Sequence, residues 1–365
     1  MDRKISQQKA LCRRACSRPF IRLCLPCVAL LLAGMALPVE AAAGDLYGPH
    51  GVTPQAVQQG KLGSCYFHAV IAALAQAEPQ KLQGMIQSGS EGTYSVTFAD
   101  GTKETAYPED LQYTQQSGYD RSEGLWVAVL FRAYAQRVLR QSLAAAIDKS
   151  DLFTFVKSYA QDLITSNDLV LLAYDRAIRS QVDQKGNIDR TKLEAQLLKE
   201  LGPISVPNEA KNSFIKLLDS GGFFDSMVEA IKQNGEIFGA YRAVGQGGIA
   251  ERVMQTLTGT LQVVLNDSET QAGPALEQVF KEGRPVVACS GGSVFYEQVA
   301  AGKPLPDETK TWYVNAHCYT ALAYNPNSRM VTLRNPWGHF PNEDGVFDLP
   351  VRTFVPAFRG IITTE

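Results

Sequence analysis

The chain has 365 residues, 45% of them apolar and 20% charged, the composition of an ordinary globular protein about two domains long, so disorder, collagen-like repetition and a membrane channel are poor fits. Its formal net charge of −2 is unevenly spread, because residues 1–43 carry Arg3, Lys4, Lys9, Arg13, Arg14, Arg18 and Arg22 against only Asp2 and Glu40. The rest is acidic and lacks the basic face that displaces counterions from phosphate, so no nucleic-acid partner is expected.

The basic stretch runs into the apolar segment Val28–Leu37, then Pro38 and the small residues Ala41, Ala42 and Ala43. This order reads as a signal peptide over residues 1–43. Its apolar run falls short of the roughly 20 residues that span a bilayer, so the mature chain is expected to be secreted or periplasmic, without a membrane span. Four of the seven cysteines lie in this segment, leaving Cys65, Cys289 and Cys318. Three cysteines make no dense disulfide framework, include no CxxC pair for zinc, and leave at least one thiol unpaired.

Next along the chain, Gln59-Gly-Lys-Leu-Gly-Ser-Cys65 leads into the apolar run Tyr66–Ala75. This is a glycine-rich turn feeding a buried helix with a cysteine in its first turn, where the helix N-terminus favours the nucleophilic thiolate. Residues 93–98 and 102–107 alternate as two strands around Ala99-Asp100-Gly101, a tight hairpin turn. Residues 124–134 form a second buried helix. From about Gln136 to Ala240 the spacing is helical, with breaks at 185–187, 202–203 and 220–222, which predicts five or six helices. After Thr258 strands dominate: 261–265, 285–288, 318–324 and 330–333. His317 falls in one strand pattern, and Asn335 ends another, within Met330-Val-Thr-Leu-Arg-Asn-Pro-Trp-Gly338.

Gln-Gly-x-Leu-Gly-x-Cys, a later Ala-His and Leu-Arg-Asn-Pro-Trp-Gly resemble the three catalytic blocks of the calpain family of papain-like cysteine proteases. Further similarity lies at 125–135, 241–248, 283–290, 345–349 and Phe354, so the likeness covers roughly 46–136 and 241–365. The resemblance implies an α/β (α+β) papain-like fold of two subdomains: a helical one from 44–136 and 241–258 with Cys65, and a β-rich one over 259–365 with His317 and Asn335. Residues 137–240 are a helical insertion that interrupts the helical subdomain, a candidate gate or docking surface for a protein partner. It also implies that Cys65 attacks a peptide carbonyl, that His317 takes and later returns the proton, and that Asn335 orients the imidazole. The Gln59 side chain and the Cys65 N–H would bind the oxyanion, while Gly247, Gly248, Ala316 and Trp337 would line the substrate. Asparagine suffices as orienter when Cys and His rest as an ion pair.

Three departures qualify the resemblance. A signal peptide is foreign to cytosolic calpains and points to a bacterial secreted branch. The acidic calcium ligands of the calpain core are not evident: Ala56 stands three residues before Gln59, and His339-Phe340-Pro341 follows Trp337-Gly338. Glu343 and Asp344 are the nearest substitutes, so no cofactor is expected and calcium control is not. Third, the 137–240 segment is surplus to the core. His68 is expected to pack beneath the site where the family has an apolar residue, Cys289 and Cys318 to be buried strand residues, and His50 and His339 to be loop residues. Two other functions compete with peptide hydrolysis: a non-catalytic secreted binding protein on this scaffold, and a thioester acyltransferase resembling transglutaminases.

Overall fold

The computed structural model describes residues 46–149, 189–202, 240–265 and 268–365, with isolated positions between 177 and 216. Residues 1–43, expected to be a signal peptide, and most of the surplus segment expected to be helical lie outside the described residues.

The centre of the molecule is α1 (Cys65–Ala77), ten of whose residues are buried. Its alanines at 69, 72, 73 and 75 leave no bulk to hold neighbouring elements away, and the Thr320 hydroxyl donates to the Ala69 carbonyl at 2.8 Å. Pro79 then opens α2 (Pro79–Met85), a position where its missing N–H costs nothing. A small antiparallel sheet follows, β1 (Ile86–Ser88), β2 (Tyr94–Thr97) and β3 (Lys103–Ala106), in that spatial order. The hairpin expected at Asp100-Gly101 is present: Gly101 has φ +80°, and Asp100 Oδ1 accepts from the Thr102 N–H at 3.1 Å.

After α3 (Pro108–Gln116), the second buried helix is α4 (Trp126–Lys149). Seven of its first eight residues are 0% exposed, and the eighth, Arg132, is 1% exposed and paired with buried Asp110 at 3.1 Å. Gly124 makes the entry possible, because a Cβ there would lie 2.6 Å from the Leu46 carbonyl oxygen. The helix runs without a break past residue 137, where the insertion was expected to begin. Within that segment α5 (Arg190–Leu201) is helical, with Leu193, Leu197 and Leu201 buried at the expected spacing.

Two helices, α6 (Ala240–Val244) and α7 (Ala250–Thr258), lead into the second half. There β4 (Gln262–Leu265), β5 (Val286–Cys289), β6 (Cys318–Asn325), β7 (Met330–Arg334), β8 (Val346–Pro350) and β9 (Gly360–Thr363) form a six-stranded antiparallel sheet ordered β4-β9-β5-β6-β7-β8. The four strands expected at 261–333 are all there. The last two, and the helices α8 (Glu269–Lys281), α9 (Val294–Ala300) and α10 (Val351–Ala357), add to them. Alternate residues enter different cores, as the period of a strand requires: Val287, Cys318 and Ile362 pack with the α1 and α4 cluster, while Val286, Ala288, Tyr319 and Ile361 pack with Leu276, Phe354 and Phe358 from α8 and α10. The sheet is thus covered on both faces.

Directly opposed in the β5–β6 register, Cys289 and Cys318 are joined as a disulfide, and Cys65 is the free cysteine among the described residues. Both sit in strands as expected, and the antiparallel register, which the sequence reading left open, brings their Cα atoms to 4.0 Å. No helix among the described residues is long and apolar enough to cross a membrane.

Candidate active site

Strand pairing brings the second and third motif blocks together. In the β6–β7 ladder Thr320 faces Arg334, so the residues just before β6 and just after β7 share one edge of the sheet. His317 and Asn335 occupy those two places, one position outside the strands that the sequence pattern assigned them to. His317 Nε2 lies 3.0 Å from Asn335 Oδ1, which also accepts the Trp337 N–H at 3.1 Å. Because the amide oxygen only accepts, the imidazole carries its proton on Nε2 and leaves Nδ1 as the basic nitrogen. Asn335 is fully buried and His317 is 4% exposed, with the Trp337 ring 4.8 Å from the imidazole.

Cys65 opens α1 against this edge and is partly exposed. Burial pushes its thiol up, while the backbone N–H groups of Cys318, Tyr66 and Cys65 itself pull the other way. The Cys318 contact puts sulfur beside the residue that follows His317. Burial also pushes the His317 imidazole down to about 4, against the raising effect of its bond to Asn335. Desolvation therefore works against the resting ion pair that the resemblance implies, and the backbone donors and Asn335 work for it. A thiol at a helix N-terminus, a buried imidazole and an amide that holds it are the parts of nucleophilic catalysis.

The two motif-bearing halves are pinned beside the cleft. The Gln59 N–H donates to the Pro336 carbonyl at 2.8 Å, Gln58 Nε2 to the Trp337 carbonyl at 3.2 Å, and Arg334 to the Val57 carbonyl at 2.7 Å. Gln59 is buried, and its Nε2 donates to the Leu62 carbonyl at 2.5 Å. One of its two amide protons is thus committed to its own loop and one is left for a ligand. The loop at 245–248 lies along the other side of the turn: Gly63 N–H donates to the Gly245 carbonyl at 2.7 Å and Gly247 N–H to the Gly63 carbonyl at 2.8 Å. Gly248 sits on the Tyr66 ring, where a Cβ would be 2.3 Å from Cζ, and Gly247 has φ +96° in open space. Ala316 is exposed next to His317, with φ +51°.

Histidine 68, expected beneath the site, is there and fully buried, but it has a carboxylate partner, Asp120, that sequence reasoning missed. Asp120 stands 52 residues away in a loop, and only an unsatisfied buried histidine hinted at it. His50 and His339 lie in loops as expected, and both are exposed: His50 meets Glu123 at 2.6 Å, and His339 Nδ1 donates to the Trp337 carbonyl at 2.7 Å. Among the described residues no three His, Cys, Asp or Glu side chains gather to hold a metal ion. Asp344 Oδ1 accepts the Val346 N–H at 3.0 Å, and Ala56 is fully buried.

Residues 38–155 match the model of the calpain family of cysteine proteases. That stretch contains Gln59, Cys65 and His68, whereas His317 and Asn335 lie outside it, and the fold brings Cys65 to the backbone of Cys318, next to His317. No curated protein matches the chain.

Proposed function

Taking the chain as a calpain-like cysteine protease, we propose that it is an endopeptidase working through a thioester on Cys65. The observation that carries this reading is the His317–Asn335 hydrogen bond at the sheet edge against which Cys65 opens α1. In that mechanism His317 Nδ1 takes the thiol proton as sulfur attacks the scissile carbonyl. The imidazolium then gives the proton to the leaving amine, and water, activated by the same nitrogen, hydrolyses the thioester. Asn335 keeps the ring in the required tautomer throughout. The Cys65 N–H and the second Gln59 amide proton receive the developing oxyanion, where a donor is worth roughly 2.7 to 4 kcal/mol. Gly247, Gly248, Ala316 and Trp337 line the peptide.

The protease acts outside the cytosol after removal of residues 1–43, a reading supported by the basic-apolar-small order of that segment and by the Cys289–Cys318 disulfide. It works without calcium, and residues 137–240 govern access to the cleft or dock a partner. Deleting 140–237 and finding both peptide and protein cleavage unchanged would remove that role.

The test is hydrolysis of a general protein substrate by the purified mature chain, with and without a cysteine-directed epoxide and a calcium chelator. Epoxide and Cys65→Ala are expected to abolish cleavage, and the chelator to leave it unchanged. Activity in Cys65→Ala within tenfold of the parent would exclude Cys65 as nucleophile.

A further inference from the structure

Beneath the nucleophile runs a chain of buried polar contacts that the reaction as described does not use. His68 Nδ1 lies 3.0 Å from the Ser64 carbonyl oxygen, and His68 Nε2 lies 3.2 Å from Asp120 Oδ1. The Ser122 hydroxyl donates to the same Asp120 oxygen at 2.7 Å and accepts the Gln58 N–H at 2.8 Å. His68 is 0% and Asp120 5% exposed, with the Phe67 and Phe131 rings packed on the imidazole at 5.5 and 5.2 Å. A carbonyl oxygen only accepts, so Nδ1 donates to Ser64. With Nδ1 carrying one proton, Nε2 and Asp120 Oδ1 share a second across 3.2 Å. The pair is buried, with aromatic rings packed on the imidazole.

Helix α1 does not need this third donor, since the Phe67 and His68 N–H groups already reach the Ser64 oxygen at 3.0 and 3.1 Å. What the side chain adds is a third hold on the direction of that carbonyl. The Ser64 carbonyl and the Cys65 N–H belong to one planar trans peptide and point opposite ways. Fixing the carbonyl below the helix therefore fixes the N–H toward the cleft. At its far end the chain holds Gln58, next to Gln59 in sequence, and the Gln58 carbonyl also accepts the Arg121 N–H at 2.9 Å.

We propose that His68, Asp120 and Ser122 form a positioning network that aims both donors of the oxyanion hole, the Cys65 N–H directly and the Gln59 amide through Gln58. This deepens the proposed function and rests on its assignment of those two donors. A group that only stabilised the fold would influence substrate and transition state alike. One that aims the hole acts where negative charge develops.

The test compares the parent with His68→Leu/Asp120→Asn, which removes both partners together so that neither is left buried without the other, and with His68→Asn, whose amide nitrogen replaces Nδ1. The readouts are kcat, KM and affinity for a peptide aldehyde, whose thiol adduct puts an oxygen in the hole. For the double variant we expect kcat to fall about tenfold to a hundredfold, a fraction of the loss from deleting a donor outright, with KM within threefold and aldehyde affinity falling in step. His68→Asn should recover kcat to within about fivefold of the parent. Ser122→Ala, at a half-buried position that leaves the His68–Asp120 contact in place, should lower kcat at least threefold at unchanged KM, and it carries the test if the double variant fails to fold. A folded double variant whose kcat and aldehyde affinity stay within threefold of the parent, or Ser122→Ala without effect, would overturn the proposal. Cys65→Ala measured alongside separates the two claims: if it remains active, the assignment of the cleft falls first, whereas if it is dead while the network variants are not, only the network falls.

Discussion

Replacing His317 by Gln in a Cys65→Ser background, which removes any self-cleavage, should flatten the dependence of stability on acid. The folded imidazole is held near 4 because its ring is 4% exposed, with one hydrogen bond to Asn335 as compensation. In the unfolded chain it titrates near 6.5. With the folded value below the unfolded one, the unfolded state binds more protons between the two. Stability from this residue is therefore complete above about pH 6.5 and is lost as pH falls toward 4. The full loss corresponds to about 3 kcal/mol, and between pH 7.5 and 5.0 it amounts to about 2 kcal/mol. Glutamine presents an amide near the position of Nε2 and does not titrate. Urea unfolding of both proteins at the two pH values measures the difference, and every other titrating group contributes to both. The parent should lose about 2 kcal/mol more than His317→Gln over this interval. A difference below about 0.5 kcal/mol would mean that the imidazole accepts a proton in the folded cleft without penalty, and that burial does not set its basicity.

The remaining expectations concern the cleft. His317→Ala should abolish hydrolysis as fully as loss of the thiol, while Asn335→Ala should reduce kcat less, because water can partly replace an orienting group; equal losses for the two would give Asn335 a larger role than orientation. Gly248→Ala brings a methyl group to within 2.3 Å of the Tyr66 ring, whose hydroxyl donates to the Val244 carbonyl at 3.0 Å. The loop at 245–248 must shift, so KM for a peptide should rise about tenfold, a loss of about 1.4 kcal/mol in binding, with far-UV circular dichroism unchanged; an unaltered KM would remove that loop from the substrate side.

What the sequence makes legible here is what acts locally. The turn into α1 announces itself through Gly60, Gly63 and the apolar run behind Cys65, and the Asp100-Gly101 hairpin through residues suited to its geometry. The strands at 286–289, 318–325 and 330–334 are dense in β-branched and aromatic residues, so their existence is plain while their ends are not. His317 and Asn335 therefore fall just outside the ladders rather than within them. Contacts set by register or by long separation leave little trace. Cys289 and Cys318 become a disulfide only because β5 and β6 run antiparallel with those two residues opposed, and nothing in their spacing of 29 fixes that register. Asp120 is more hidden still. It is an ordinary acidic residue in a turn until the chain folds and sets it against His68, whose place on the buried face of α1 is the one local sign that a charged or polar partner had to come from elsewhere. The residues that do the chemistry are thus easier to read than those that aim it, because nucleophile and base must be particular residue types, whereas an aiming contact can be supplied by any donor the fold carries to the right place.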